Sequence, residues 1–353
     1  MHKLRTFIFR YFFFCTLCLS AQVPDYYSRL DFRDSNKPLI DQLSNLIIDT
    51  HLMFIPYTSP ETDTWDILRI SDLDSEISDE VLLMYGYNDD DDESITDRTR
   101  YSYDTCHTWD CIGLWNREHV FARSLANPRL NTIDKGAGTD LHNIRAVDAQ
   151  KNTQKSNRFF ADGFGDSKIV NGSYFYPGDE WKGDVARILM YMHLRYPGRC
   201  DARDVAVVDL NDPNNTMPNI LLEWNAQDPV SDFEIRRNDI IYTFQGNRNP
   251  FVDNPYLATL IWSGPEAEDK WGEFSSKRFY EKLEAYPTIC SDEIFINNPS
   301  SEEFISFSIL DTDGDIIQRG KAIHSILLKI DNPGPYVLKL GDSDKKEIII
   351  YVQ

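Results

Sequence analysis

The sequence predicts an α+β chain: a large, mostly helical region enclosing a short β segment, followed by a small sandwich-like all-β module. Three observations predict it. Leu39, Leu43, Leu46 and Ile47 fall on one helical face, and Val185, Leu189, Met192 and Tyr196 repeat at the same spacing. Near Cys290 the period changes to two, with Ile305, Phe307 and Ile309 and later Tyr336, Leu338 and Leu340 alternating with other residues. Between these textures stands a stretch that is neither, W-N-R-E-H-V-F-A-R-S from Trp115 to Ser124.

At 353 residues the chain is long enough for one large domain and a small one. The first 21 residues are set apart: Lys3, Arg5 and Arg10 precede an apolar run from Tyr11 to Leu19, ending at Leu19-Ser20-Ala21. This is the pattern of a secretory signal peptide cleaved after Ala21. The run is too short for a membrane span, which needs about 20 apolar residues, so no transmembrane segment is expected in the mature chain. The domain reading is therefore 1–21 leader, 22–285 main domain and 290–353 β module.

Ser35 is a candidate helix cap, with Pro38 in the first turn after it. Asn88 to Glu93, N-D-D-D-D-E, is a charge run whose ordinary use is a solvated loop, with a secondary calcium site as the alternative. Gly136 and Gly138 mark a loop, and a helix is expected from about Ala146 to Ser156. Pro197-Gly198 ends the helix that carries Arg187, and Asp313-Gly314 signals a hairpin turn. In an oxidising compartment the four remaining cysteines suggest disulfides: Cys106 with Cys111 across a small loop, leaving Cys200 with Cys290. A zinc site from Cys106, His107 and Cys111 matches no common spacing.

The formal charge of −21 argues against nucleic-acid binding through a broad basic surface. It leaves open a hydrolase in which a metal and a few local arginines neutralise the phosphate under attack. Phosphodiester hydrolysis needs an attacking water, charge relief on the phosphoryl oxygens and help for the leaving oxygen. His119 suits the base, because a neutral imidazole accepts a proton near pH 7. Glu118 and the amide oxygen of Asn152 suit a hard divalent cation with water completing its shell. Neighbours on a regular strand point to opposite faces, so Glu118 and His119 converge only where the strand ends, bends or bulges.

N-R-E-H at Asn116–His119, D-L-H-x-I-R at Asp140–Arg145, Asn152 and S-N at Ser156–Asn157 resemble the endonuclease I family of secreted nucleases. The likeness continues through G-D-V-A-R at Gly183–Arg187, L-L-E-W-N-A-Q-D-P-V at Leu221–Val230 and the R-N-D-I-I-Y-T-F-Q-G-N-R-N-P-F-V-D block at Arg237–Asp253. The resemblance implies a ββα-metal core, with His119 as general base and Glu118 and Asn152 holding magnesium, for which manganese or calcium could substitute. It also implies cleavage of DNA and perhaps RNA with little sequence preference, leaving 5′-phosphate ends. Arg187 is the first candidate for gripping the phosphate, with Arg145 and Arg117 behind it. The Q-G-N-R-N-P-F block reads as scaffold, rich in turn formers.

Several positions depart from the family pattern: Phe121-Ala122 for W-P, Asn143 for a second histidine, Ala146 for proline, Lys155 for arginine and Asn225 for histidine. None removes the base or a metal ligand. The β module resembles type IX secretion sorting domains through I-F-I-N-N-P at Ile294–Pro299, the D-T-D-G-D-I-I turn and G-P-Y-V-L-K-L at Gly334–Leu340. That likeness implies contact with the type IX machinery and a secreted or cell-surface place in a Gram-negative bacterium. The chain is expected to act as a monomer. The competing reading is a catalytically weak or silent surface protein that binds nucleic acid or another ligand on the same scaffold.

Overall fold

The computed structural model describes residues 23–32, 37–108, 111–209, 216–272, 274, 283–298, 304–341 and 346–353. The leader and the cap at Ser35 lie outside the described residues. Among the described residues no helix is long and apolar enough to cross a membrane.

Helix α1, Lys37–Asp49, buries Leu39, Leu43, Leu46 and Ile47, the face its spacing predicts. Helix α2, Thr64–Ser71, begins at a capping box in which Asp63 and Asp66 each satisfy the other's backbone N–H. The short strands β1 (Glu80–Leu82) and β2 (Thr99–Tyr101) pair antiparallel. Between them Asp91 accepts from Asn88, Thr96 and the Glu93 N–H, and Asp89 accepts from the Arg98 and Thr99 N–H groups. The acidic run is thus a loop whose carboxylates tie its own backbone.

Strand β3, Trp115–His119, pairs antiparallel with β4, Ile144–Asp148, and helix α3, Ala149–Lys155, follows β4 directly. The expected helix from Ala146 therefore starts three residues late, because Ala146 to Asp148 pair with β3. Asp148 sets the junction: Oδ1 accepts from the N–H groups of Gln150 and Lys151 at 2.8 and 2.9 Å, while Oδ2 takes Arg100 Nη1 at 2.6 Å. One cap thereby stops the strand, starts the helix and fixes where Asn152 emerges.

A small hairpin, β5 (Lys168–Val170) with β6 (Tyr174–Tyr176), leads to the central helix α4, Lys182–Arg195. Val185, Leu189 and Met192 are buried with most of its other residues, so α4 is enclosed rather than amphipathic. Around it pack α1, α5 (Asn219–Gln227) and α7 (Pro250–Asp253), joined in sequence by α6 (Asp232–Gln245) and α8 (Tyr256–Trp262). Helix α6 starts at a Ser231/Glu234 capping box and ends at Gly246, whose φ of +86° makes the left-handed cap. A side chain there would also meet the Thr50 carbonyl at 2.6 Å. Gln245, Asn247 and Asn249 are buried and hydrogen-bonded, in keeping with a scaffold role for that block.

The C-terminal strands form two sheets around their own cluster of Leu283, Ile294, Ile309, Leu338 and Ile350 with their neighbours. In order they are β7 (Glu284–Tyr286), β8 (Ile289–Cys290), β9 (Glu293–Asn297), β10 (Ile305–Leu310), β11 (Ile316–Ala322), β12 (Ser325–Leu327), β13 (Gly334–Leu340) and β14 (Lys346–Val352). Five join as β11-β10-β13-β14-β8 and three as β12-β9-β7. Asp311 accepts from the N–H groups of Asp313 and Asp315, so this aspartate trio closes the β10–β11 hairpin.

The cysteines divide. Cys106 and Cys111 form a disulfide, whereas Cys200 and Cys290 are free and buried. The expected Cys200–Cys290 bond is corrected: Cys200 belongs to the α4 core, and Cys290 to the cluster between the C-terminal sheets.

Candidate active site

Strand β3 stops at His119, and Glu118 and His119 both line one cleft of about 380 Å³. The end of the strand, with no bulge in the β3–β4 register, is what lets neighbouring side chains share the cleft. Just beyond, Asn143 holds the chain: its Oδ1 accepts from the Phe121 N–H at 2.7 Å and its Nδ2 donates to the Phe121 carbonyl at 3.3 Å.

His119 is buried, and its Nε2 lies 2.8 Å from the Gly138 carbonyl. A carbonyl only accepts, so Nε2 carries the proton and Nδ1 keeps the lone pair. Burial pushes the imidazole down to about 4, which holds it neutral at pH 7. Gly138 is required at its place, because a Cβ there would stand 1.8 Å from the Asn131 carbonyl. The ring of Tyr57 stacks on the imidazole.

Glu118 is buried too, and burial raises its pKa against the pull of Lys155. Tyr85 donates to its Oε1 at 3.3 Å, and Lys155 Nζ lies 3.5 Å from the same oxygen. Lys155, on the last turn of α3 and 1% exposed, also approaches the Val120 carbonyl and the Phe160 ring. Asn152 donates through Nδ2 to Asn116 Oδ1 at 2.6 Å and to the Arg117 carbonyl at 3.4 Å. Its own Oδ1 is left for the cleft.

The cleft is completed by Arg117, Ala122, Arg123, Ser124, Arg129, Ser156 and Asn157. A model of the family described as Endonuclease I matches residues 37–256, which span every one of these groups. The chain belongs to the endonuclease I family. It is a nuclease, a phosphodiester hydrolase. It is 38% identical over 215 residues to an extracellular ribonuclease of Bacillus subtilis (strain 168), covering 57% of this chain and 68% of that protein. The same identity and coverage relate it to an extracellular ribonuclease of Bacillus amyloliquefaciens. Endonuclease-1 of Buchnera aphidicola subsp. Baizongia pistaciae (strain Bp) is 29% identical over 127 residues, 32% of this chain and 46% of that one.

Nucleases of this family generally depend on a divalent metal, and the donor set of this nuclease suits one. Glu118 offers an acidic oxygen and Asn152 a neutral one, on adjoining elements facing one cleft. Among the described residues no group of three or more His, Cys, Asp or Glu side chains is placed to hold a metal ion.

The arginines sort differently from expectation. Arg187 is fully buried: Nε and Nη2 meet the two carboxylate oxygens of Glu234 at 2.6 and 2.7 Å, and Nη1 donates to the Asp228 carbonyl. Arg145 is buried between Asp72 and Asp184, and Arg237 shares Asp72. Neither Arg187 nor Arg145 lines the cleft, so both are corrected from phosphate grips to ties binding β4, α4 and α6. Arg117 does line it, but its guanidinium donates to the Tyr57 carbonyl, Thr58 and Thr64 and lies 3.4 Å from the Tyr57 ring centre. Its Nη1 and Nη2 are thus engaged around Tyr57, while its buried Nε has no partner among the described residues. The cleft's other arginines are the half-buried Arg123, whose Nε donates to the Leu130 carbonyl at 3.1 Å, and the exposed Arg129. Arg123 was visible four residues after His119 in the same motif; Arg129, Tyr57 and the carbonyl of Gly138 gave no local signal.

Proposed function

We propose that this nuclease is secreted and magnesium-dependent, cutting DNA and RNA with little sequence preference to leave 5′-phosphate ends. The observation that supports it most is the tautomer of His119, whose Nε2–H is committed to Gly138, leaving Nδ1 unprotonated on a residue that lines one cleft with Glu118 and Asn152. Nδ1 removes a proton from the attacking water, and Gly138 steadies the imidazolium that forms. Glu118 and Asn152 would hold the ion, which when bound supplies charge relief to the phosphoryl and leaving oxygens. Lys155 and Tyr85 keep the Glu118 carboxylate ionised and aimed, and Arg123 and Arg129 neutralise the phosphate.

This arrangement also answers the chain's acidity. Three arginines and one carboxylate line the cleft, so positive charge is local to the place where a polyanion must bind. The names of the two Bacillus relatives support RNA as a substrate, that of the Buchnera relative an endonucleolytic cut, and the word extracellular a secreted protein. The C-terminal strands we read as a separate export module.

Digesting plasmid DNA and RNA with magnesium or with EDTA, for wild type and His119→Ala, tests the reading. The variant should lose roughly 10²–10⁴-fold in rate, and EDTA should stop wild type. Undiminished cutting by His119→Ala would sink the mechanism.

A further inference from the structure

A second cavity of about 500 Å³ adjoins the cleft, walled by Cys106, Thr108, Cys111, Ile112, Asn116, Ala149, Gln150 and Thr153. The two cavities share a partition. Asn116 lines the second one and accepts through Oδ1 from Asn152, which lines the first, and Asn152 and Thr153 are consecutive on α3. The partition is one pair of side chains thick, so this cavity is close enough to His119 for a neighbouring nucleotide of a bound strand to reach it.

The two linings differ in chemistry. The cleft carries three arginines and a carboxylate; the second cavity has no charged side chain among its described lining residues. Among those residues a phosphate finds no counter-charge. The disulfide, Ile112 and Ala149 give an apolar wall, and Ile112 is 70% exposed with nothing described covering it. Around that wall stand neutral hydrogen-bonding groups. Asn116 has its Nδ2 free because only Oδ1 is used, and the Gln150 amide bonds to no described side chain or backbone. The Thr153 hydroxyl donates to the Ala149 carbonyl and keeps its lone pairs. A flat heterocycle with an edge of donors and acceptors fits that combination: its faces want apolar contact and its edge wants amides.

We propose that this cavity is a base subsite, taking one unpaired nucleobase of the strand being cut, next to the scissile phosphodiester. The proposal rests on the cleft around His119 being where the phosphate is hydrolysed. It implies that single-stranded or frayed nucleic acid is favoured, since a paired base cannot enter a side cavity without leaving its stack.

The test is single-nucleotide mapping of cuts in an end-labelled single-stranded oligonucleotide, intact or with one abasic residue, in magnesium. The full-length enzyme should cut the linkage on one side of the abasic residue about 10-fold more slowly than in the intact strand, the scale of one lost base contact. Other linkages should be unaffected. The variant Ile112→Ala/Gln150→Ala should cut the intact strand at that reduced rate and show no further loss at the abasic residue. A wild type indifferent to the missing base would overturn the proposal, as would a variant that keeps the full abasic effect. Failure of the underlying cleft reading shows differently, as undiminished cutting of the intact strand by His119→Ala, and would take the subsite down with it.

Discussion

The phenol ring of Tyr57 lies against the imidazole of His119, with ring centres 5.5 Å apart and planes 30° from parallel. Tyr57 is in turn gripped by Arg117, whose guanidinium also lies 4.1 Å from the Trp65 ring centre. An imidazole held on one edge by the Gly138 carbonyl and on one face by an aromatic ring has little freedom to turn.

Tyr57 should therefore act as a positioning residue. Tyr57→Ala is expected to lower kcat by about 3- to 10-fold with little change in KM, on the scale of one aromatic contact. Tyr57→Phe should restore the rate, because the ring and not the hydroxyl makes the contact. Equal losses in both variants would assign the role to the hydroxyl instead.

Arg187 and Arg123 should fail in different ways. Arg187→Ala strips a buried partner from Glu234 and is expected to cost about 3–5 kcal/mol of stability, read by urea unfolding. Arg123→Ala should leave the unfolding midpoint nearly unchanged and lower kcat/KM. If Arg187→Ala folds normally and only loses activity, a phosphate role for it is restored.

Acid should weaken the fold before most carboxylates titrate. Burial pushes His142 down to about 3, and burial also lowers His51 from its ordinary 6.5. Between about 6.5 and 3 the unfolded chain binds protons that the folded chain refuses. Stability thus rises with pH across that window and is lost as pH falls through it. Asp184, pushed up to about 8 by burial and by Glu234, tilts the other way, so the histidine contribution is read as a difference between proteins. His142→Gln, which keeps a donor for the Asn247 carbonyl and cannot titrate, should lose less Tm between pH 7 and pH 5 than wild type. An equal loss in both would exclude His142 as a source of the acid limb.

The thiols give a direct check on the corrected pairing. Without reductant, denatured protein should be alkylated on the peptides carrying Cys200 and Cys290, and on Cys106 and Cys111 only after reduction. In the native protein Cys200 should react slowly, since burial raises its thiol to about 12. A Cys200–Cys290 peptide pair in the unreduced digest would contradict the structure.

The sequence by itself determined whatever depends on neighbours along the chain. The faces of α1 and α4 were legible because burial follows helical period, and the C-terminal strands because alternation and Asp313-Gly314 are local. Glu118, His119 and Asn152 stood out in the sequence because their spacing is compact, and the fold brings all three to one cleft. The ordered motif blocks carried the family, and the match across residues 37–256 bears it out. The tertiary structure alone decided which arginines meet the cleft. Arg187, Arg145 and Arg123 look alike as letters, yet Glu234, Asp72 and Asp184 claim the first two from segments 39 to 73 residues away. It also decided the partners of His119, since the Gly138 carbonyl and the Tyr57 ring arrive from loops whose own sequence carries no catalytic mark. A charge is available for chemistry only if the fold leaves it unpaired, and pairing is a long-range property that no local pattern records.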